Sequence, residues 1–133
     1  MRTIIAAALV LGFVQVQSAA AAAETAACAP TSEAEIAKLF DRWNTSLATL
    51  SPQEVAKNYS EDSVLLATLS NKPRLTQAER IDYFEHFLAN EPKGHVDSRD
   101  IKIGCNWAVD LGTYTFTIKD GSKVPARYTY TYE

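Results

Sequence analysis

The chain has 133 residues and 14.6 kDa, enough for one domain, with 47% hydrophobic, 22% charged and 10% aromatic residues. Its net charge is −3 and it holds no run of Lys or Arg, so it lacks the basic footprint that nucleic-acid binding requires. The aromatic content likewise argues against low-complexity disorder.

The first residues read as an export signal. Arg2 supplies the positive charge, Ile4 to Val14 form an uncharged apolar stretch, and Ala19 to Ala23 offer overlapping A-x-A cleavage frames. The apolar stretch is too short to span a bilayer, so no stable membrane anchor is expected. Cleavage after Ala23 predicts a mature domain in the periplasm or outside the cell. That domain carries 12 basic against 16 acidic residues. Residues 24–31 read as a linker, and residues 32–133 as the folded domain. Two cysteines remain, Cys28 and Cys105. In an oxidising compartment an even count favours a disulfide between them. The competing reading is two unpaired thiols, with Cys105 buried as a small apolar residue.

Ser32 and Glu35 form a capping box. Ile36, Leu39, Phe40, Trp43 and Leu47 follow at the spacing of a core-facing helix. Ser51-Pro52-Gln53-Glu54 starts a second, short helix that carries Val55 and Tyr59 inward. Val64 to Leu69 is an apolar run suited to a strand, turned by Asn71-Lys72-Pro73. Thr76 and Glu79 form another capping box, and their helix presents Ile81, Tyr83, Phe84, Phe87 and Leu88 before Pro92 and Gly94 end it.

Beyond His95 the period changes to two. Ile101, Ile103 and Cys105 alternate with polar residues, as do Tyr114, Phe116 and Ile118, and then Tyr128, Tyr130 and Tyr132. Asp120-Gly121 marks a hairpin turn. Helices first and an antiparallel meander afterwards predict an α+β domain with helices on one face of the sheet. The alternation has not faded at Glu133, which reads as a meander lacking its final strand.

Motifs for nucleotide-phosphate transfer and serine hydrolysis are missing, and His86 and His95 lack metal-ligand spacing, so no cofactor or metal is expected. His86, among Tyr83, Phe84 and Phe87, is a candidate base or pocket residue, against a solvent-edge histidine. Asp62 is a candidate proton carrier at a cavity mouth, against a turn former. Arg127 lies mid-strand on the parity opposite to the tyrosines, where its guanidinium would take a carboxylate if that face lines a cavity. Arg74 is a candidate rim cation. Trp43 and Tyr59 offer polar ring atoms to the same cavity, against plain core packing.

Several segments resemble bacterial proteins related to the calcium/calmodulin-dependent protein kinase II association domain. They are Ser32 to Asn44, Tyr59-Ser60-Glu61-Asp62-Ser63-Val64-Leu65-Leu66, Ser70-Asn71-Lys72-Pro73-Arg74, Asp82-Tyr83-Phe84 and Gly112-Thr113-Tyr114-Thr115-Phe116. That family belongs to the cone-shaped superfamily of nuclear transport factor 2 and SnoaL-like cyclases. The resemblance implies a curved antiparallel sheet with helices on its concave face and a small-molecule pocket. It also implies self-association, as a homodimer or a higher oligomer, through the outer sheet face. Pro125-Ala126-Arg127-Tyr128 resembles the family strand whose arginine enters the pocket, so Arg127 is expected there with the tyrosines facing outward. Trp43, Tyr59, Arg74, Tyr83 and His86 complete the expected site for a small polar or anionic molecule. The alternative is a cofactor-independent isomerase, cyclase or oxidoreductase-like enzyme using the same pocket.

Overall fold

The computed structural model describes residues 27–133; the signal segment expected over residues 1–23 lies outside the described residues. Three helices precede three strands: α1 (Glu33–Leu47), α2 (Pro52–Ala56), α3 (Gln77–Leu88), β1 (Lys93–Gly104), β2 (Trp107–Thr117) and β3 (Lys123–Tyr132). The strands form an antiparallel meander in the order β1-β2-β3, with the helices on its concave face.

Each helix begins where its cap predicts. Ser32 Oγ accepts from the Glu35 N–H at 3.3 Å, while Glu35 Oε2 accepts from the Ser32 N–H at 2.8 Å. Thr76 and Glu79 repeat that exchange at α3, and Ser51 caps α2. Such a cap contributes roughly 1 kcal/mol. Of the predicted stripe of α1, Ile36, Phe40, Trp43 and Leu47 are buried and Leu39 is half-buried; Phe40, Trp43 and Leu47 share one core with Tyr114, Phe116 and Tyr128 of the sheet. Burying each large apolar side chain stabilises by roughly 1.5–3 kcal/mol. Asn44 ties α1 to the start of β1, donating to the Gly94 carbonyl at 2.8 Å and accepting from its N–H at 2.9 Å.

A bulge at Asp97 decides which way the sheet's side chains point. Val96 pairs with Tyr114 and Ser98 with Thr113, so Asp97 is the extra residue on β1. Gly94 and Val96 face the helices before the bulge; Arg99 and Ile101 do so after it. Without it, Ser98, Asp100 and Lys102 would point into the core, because a one-residue slip exchanges the two faces of a strand. Gly112 lies opposite, and a Cβ there would collide with the Ser98 carbonyl oxygen. Thr115 Oγ1 holds Asp97 Oδ2 at 2.6 Å on the outer face.

Two local expectations are corrected. Val64 to Leu69 forms no strand: only Leu65 makes a bridge, to Arg74, and Thr68-Leu69 is a turn. The run has no neighbouring strand along its length, and Val64, Leu66 and Leu69 stay exposed. Cys105 does not continue β1. It occupies the tight β1–β2 turn with Asn106, whose φ of 61° is the left-handed conformation that Asn tolerates. There Cys105 is exposed and bonded to Cys28, and the neighbouring Ala29 N–H donates to Asn106 Oδ1 at 2.7 Å. The Asp120-Gly121 turn forms as expected, with Gly121 at φ 86°.

Candidate functional site

The concave side of the sheet carries aromatic rings from every layer. Phe40 lies 5.9 Å from Tyr128 and Trp43 lies 5.9 Å from Tyr130, centroid to centroid, so the middle is packed. Polar atoms collect at two places along β2.

The first is at Tyr114. Its hydroxyl shares a hydrogen bond of 2.9 Å with Thr68 Oγ1. Tyr83 stands beside it on α3, and the Arg74 guanidinium lies 5.7 Å from the Tyr83 ring centre. Arg74 is fixed by its ion pair with Asp82 at 2.7 Å, and its buried Nε has no partner among the described residues. Tyr59 accepts from the Trp43 indole N–H at 3.0 Å on the same side. Burial pushes the Tyr83 phenol up to about 12; Tyr114 adds to the rise and Arg74 opposes it. Burial also raises Tyr59, Tyr114, Tyr130 and Tyr132. These phenols are therefore neutral hydrogen-bond donors at any physiological pH.

The same shifts set an alkaline limit. An unfolded tyrosine loses its proton near pH 10. Up to that pH both states keep the proton and stability is unaffected. Above it the unfolded chain ionises first, so stability falls progressively until the folded phenols titrate, about 12 for Tyr83. The expected result is a stability that holds from neutral pH up to about pH 10 and falls steeply beyond it, with tyrosinate absorbance rising together with loss of helical circular dichroism. Tyrosinate absorbance that rises near pH 10 while the helix signal holds would contradict this burial.

The second place is at Asp110, fully buried on β2. Asp110 Oδ1 accepts from Arg99 Nε at 3.2 Å and from Tyr128 Oη at 3.0 Å. The Arg99 guanidinium also lies 5.6 Å from the Phe40 ring centre. Burial pulls this guanidinium down, but Tyr128 and Asp110 outweigh it and the net direction is up.

Trp43, Tyr59, Tyr83 and Arg74 thus lie on the helix side of the sheet. Arg127 does not. It pairs with Thr113 on the exposed outer face, while Tyr128, Tyr130 and Tyr132 point inward, the reverse of the expected parity. The reason is the register: Tyr128 pairs with Gly112 and Tyr130 with Asp110, which puts the tyrosines on the same face of the sheet as the buried Asp110 and Tyr114. Arg127 instead borders a shallow depression of about 700 Å³ shared with Leu66, Thr68 and Ala126. His86 is exposed, its Nδ1 2.9 Å from the Asp82 carbonyl, on the side of α3 away from the core. Asp62 sits in an exposed turn, and the outer-face His95 is exposed as well. Sequence reasoning missed Arg99 and Asp110. A glycine in mid-strand at 112 was the available signal, since such a glycine marks a bulge or a close approach.

Among the described residues no group of His, Cys, Asp or Glu is arranged to hold a metal ion, and no helix is long and apolar enough to cross a membrane. Residues 32–133 match the family model of the calcium/calmodulin dependent protein kinase II association domain. A Xanthomonas campestris protein described as such an association domain is 45% identical, with a TM-score of 0.74 and 78% of each chain covered. An NTF2-like protein of unknown function from Pseudomonas putida is 14% identical, with a TM-score of 0.65 over 76% of this chain and 75% of that one. A cyanobacterial iota-carbonic anhydrase complexed with bicarbonate is 16% identical, with a TM-score of 0.59 over 76% and 81%. These last two likenesses show the shared fold. No curated protein matches the sequence.

Proposed function

Because the chain belongs to the calcium/calmodulin dependent protein kinase II association domain family, we propose that it is an exported association module that binds a small polar or anionic molecule on the concave side of its sheet. The carrying observation is the wall formed by Thr68, Tyr83, Tyr114 and Arg74, where neutral hydroxyls and a braced guanidinium stand together. Hydroxyl donors beside one cation suit a carboxylate or a similar oxyanion, and the surrounding rings exclude water. Self-association uses the outer face, where Trp107, Val109 and Leu111 form an apolar row along β2 and Arg127 lies near by on β3. Export is supported by the signal pattern of the first residues and by the Cys28–Cys105 bond, which an oxidising compartment maintains.

A second reading makes the same wall catalytic, converting carbon dioxide and water into bicarbonate and a proton. It is favoured by the neutral Tyr83 and Tyr114 phenols beside the Arg74 cation, donors of the kind a developing oxyanion needs; a cyanobacterial protein of the same fold holds bicarbonate.

Titration calorimetry with bicarbonate and acetate tests both readings. Tyr83→Phe and Arg74→Gln are each expected to weaken binding by about 10-fold or more, the loss of one charge-assisted hydrogen bond. Arg127→Gln is expected to leave ligand affinity unchanged and to shift the sedimentation profile instead. Unchanged affinity in both wall variants would sink the reading. Proton release from dissolved carbon dioxide, lost in Tyr83→Phe, would select the catalytic one.

A further inference from the structure

The outer face of the sheet, where β1 begins and β2 ends, carries an open depression of about 470 Å³ lined by His95, Asp97, Thr115, Thr117, Lys123 and Pro125. The three strands meet there in two register rows, His95–Thr115–Pro125 and Lys93–Thr117–Lys123. Asp97 and Lys123 carry opposite charges and line the same hollow, yet neither takes part in an ion pair among the described residues. Each is braced by a threonine of β2 instead. Thr115 Oγ1 donates to Asp97 Oδ2 at 2.6 Å, and Lys123 Nζ donates to Thr117 Oγ1 at 2.5 Å. Asp97 Oδ1 and the remaining ammonium hydrogens of Lys123 are left with no partner among the described residues.

The bulge builds this arrangement. Ser98 pairs with Thr113 and shares a hydroxyl hydrogen bond of 2.7 Å with it, so Asp97 is the residue left over, and its carboxylate reaches the Thr115 hydroxyl. Bulges re-aim a side chain in this way beside binding sites. Thr115 and Thr117 lie two residues apart on β2, about 7 Å at strand rise, and they set the spacing of the two charges. His95 and Pro125 flank Thr115 from either side and wall the hollow. His95, Asp97, Lys123 and Pro125 are all exposed, so a solute reaches the hollow directly from solvent.

We propose that this hollow binds the head group of a free α-amino acid, its ammonium on Asp97 Oδ1 and its carboxylate on Lys123 Nζ. Two charge-assisted hydrogen bonds of about 2.8 Å each use up most of the spacing. The ligand's own charges must therefore lie close together, as they do across a single α-carbon. Lys93, on the far side of Thr117, adds positive charge at the carboxylate end, and Pro125 offers the ligand's side chain an apolar surface. A simple anion finds Asp97 opposing it and a simple cation finds Lys123, so the hollow selects for the molecule that carries both charges. It lies on the opposite face of the sheet from the wall at Tyr114. Along β2 it is about 13 Å from Leu111 at strand rise. It stands or falls independently of the function proposed above.

The test is a nuclear magnetic resonance titration of the full, disulfide-bonded protein with L-alanine, propionate, isopropylamine and 4-aminobutyrate. L-Alanine is expected to shift the His95 ring and Thr117 amide signals saturably. Propionate lacks the ammonium, isopropylamine lacks the carboxylate, and 4-aminobutyrate holds its charges too far apart. Each is expected to bind there about 10-fold more weakly or worse, the loss of one charge-assisted hydrogen bond. The Tyr83 ring signals, read in the same spectra, report binding at the wall separately. Asp97→Asn and Lys123→Gln are each expected to weaken L-alanine by about 10-fold or more. Should Asp97→Asn disturb the bulge, Lys123→Gln serves, since it lies outside it. Propionate or isopropylamine shifting His95 and Thr117 as tightly as L-alanine overturns the proposal. So does L-alanine binding that Lys123→Gln leaves unchanged, or no saturable shift at these residues.

Discussion

Replacing Arg80 with methionine is expected to lower the unfolding free energy by about 3 kcal/mol or more, although no ion pair is broken. The side chain rises from α3 and is completely buried. Its Nη1 donates to the Ser63 carbonyl at 2.6 Å, and its Nη2 donates to the carbonyls of Ser60 at 3.2 Å and Glu61 at 3.1 Å. Nε and Nη2 also reach Gln77 Oε1 at 3.2 and 3.1 Å. One guanidinium therefore satisfies three carbonyls of the turn between α2 and α3, a stretch with no ladder of its own. Methionine matches the length and apolar body but removes the donor from the Glu61 and Ser63 carbonyls, while the Ser60 carbonyl keeps its bonds from Ser63. Arg80→Lys is expected to recover only part of the loss, because a single ammonium cannot span the fork of acceptors. Urea denaturation followed by circular dichroism measures both variants. A loss below about 1 kcal/mol for the methionine variant would mean that water reaches the turn and that the arginine contributes little.

Reducing the Cys28–Cys105 bond is expected to lower stability by about 4 kcal/mol in the chain-entropy account, which scales with the logarithm of the enclosed loop. The bond joins residues 77 apart, so it encloses all three helices and β1. The effect acts on the unfolded chain, because the folded domain needs little from the bridge itself. Residues 27–31 are exposed, and the Ala29–Asn106 hydrogen bond is their recorded tie to the hairpin besides the disulfide. The reduced protein is therefore expected to keep its near-ultraviolet spectrum and to unfold at a lower urea midpoint with a larger m-value. Denaturation with and without a dithiol, and of Cys28→Ser with Cys105→Ser, separates the cases. A reduced protein that loses its tertiary spectrum in the absence of urea would show that the bridge holds folded contacts as well.

The sheet shows where reading a sequence stops. Tyr128, Tyr130 and Tyr132 alternate with Arg127, Thr129 and Thr131, and the period establishes a strand in which these sets face opposite ways. Nothing in that period says which set is inside. Pairing decides it: β3 aligns with β2 so that Tyr128 meets Gly112, and β2 in turn aligns with a bulged β1. Family resemblance placed Arg127 inside, and the register places it outside. The two charged residues of the sheet that do sit on the concave side, Arg99 and Asp110, belong to different strands and look like ordinary surface charges until the bulge turns Arg99 inward. Val64 to Leu69 failed for a related reason, since an apolar run becomes a strand only when a neighbour accepts its backbone.

By itself the sequence determined whatever lies within one turn or one repeat of its cause. The boxes at Ser32 and Thr76 set the starts of α1 and α3, the stripe from Ile36 to Leu47 set the buried face of α1, and Asp120-Gly121 set a hairpin. The cysteine count pointed to the bond that forms. Only the tertiary structure decided which face each strand shows the helices, and why Arg80 and Asp110 are buried charges. Those outcomes depend on register and on partners 11 to 20 residues away in sequence. Local propensity ends at the hydrogen bonds a residue makes with its near neighbours, whereas burial is settled by the strand or turn that the chain returns to pair with it.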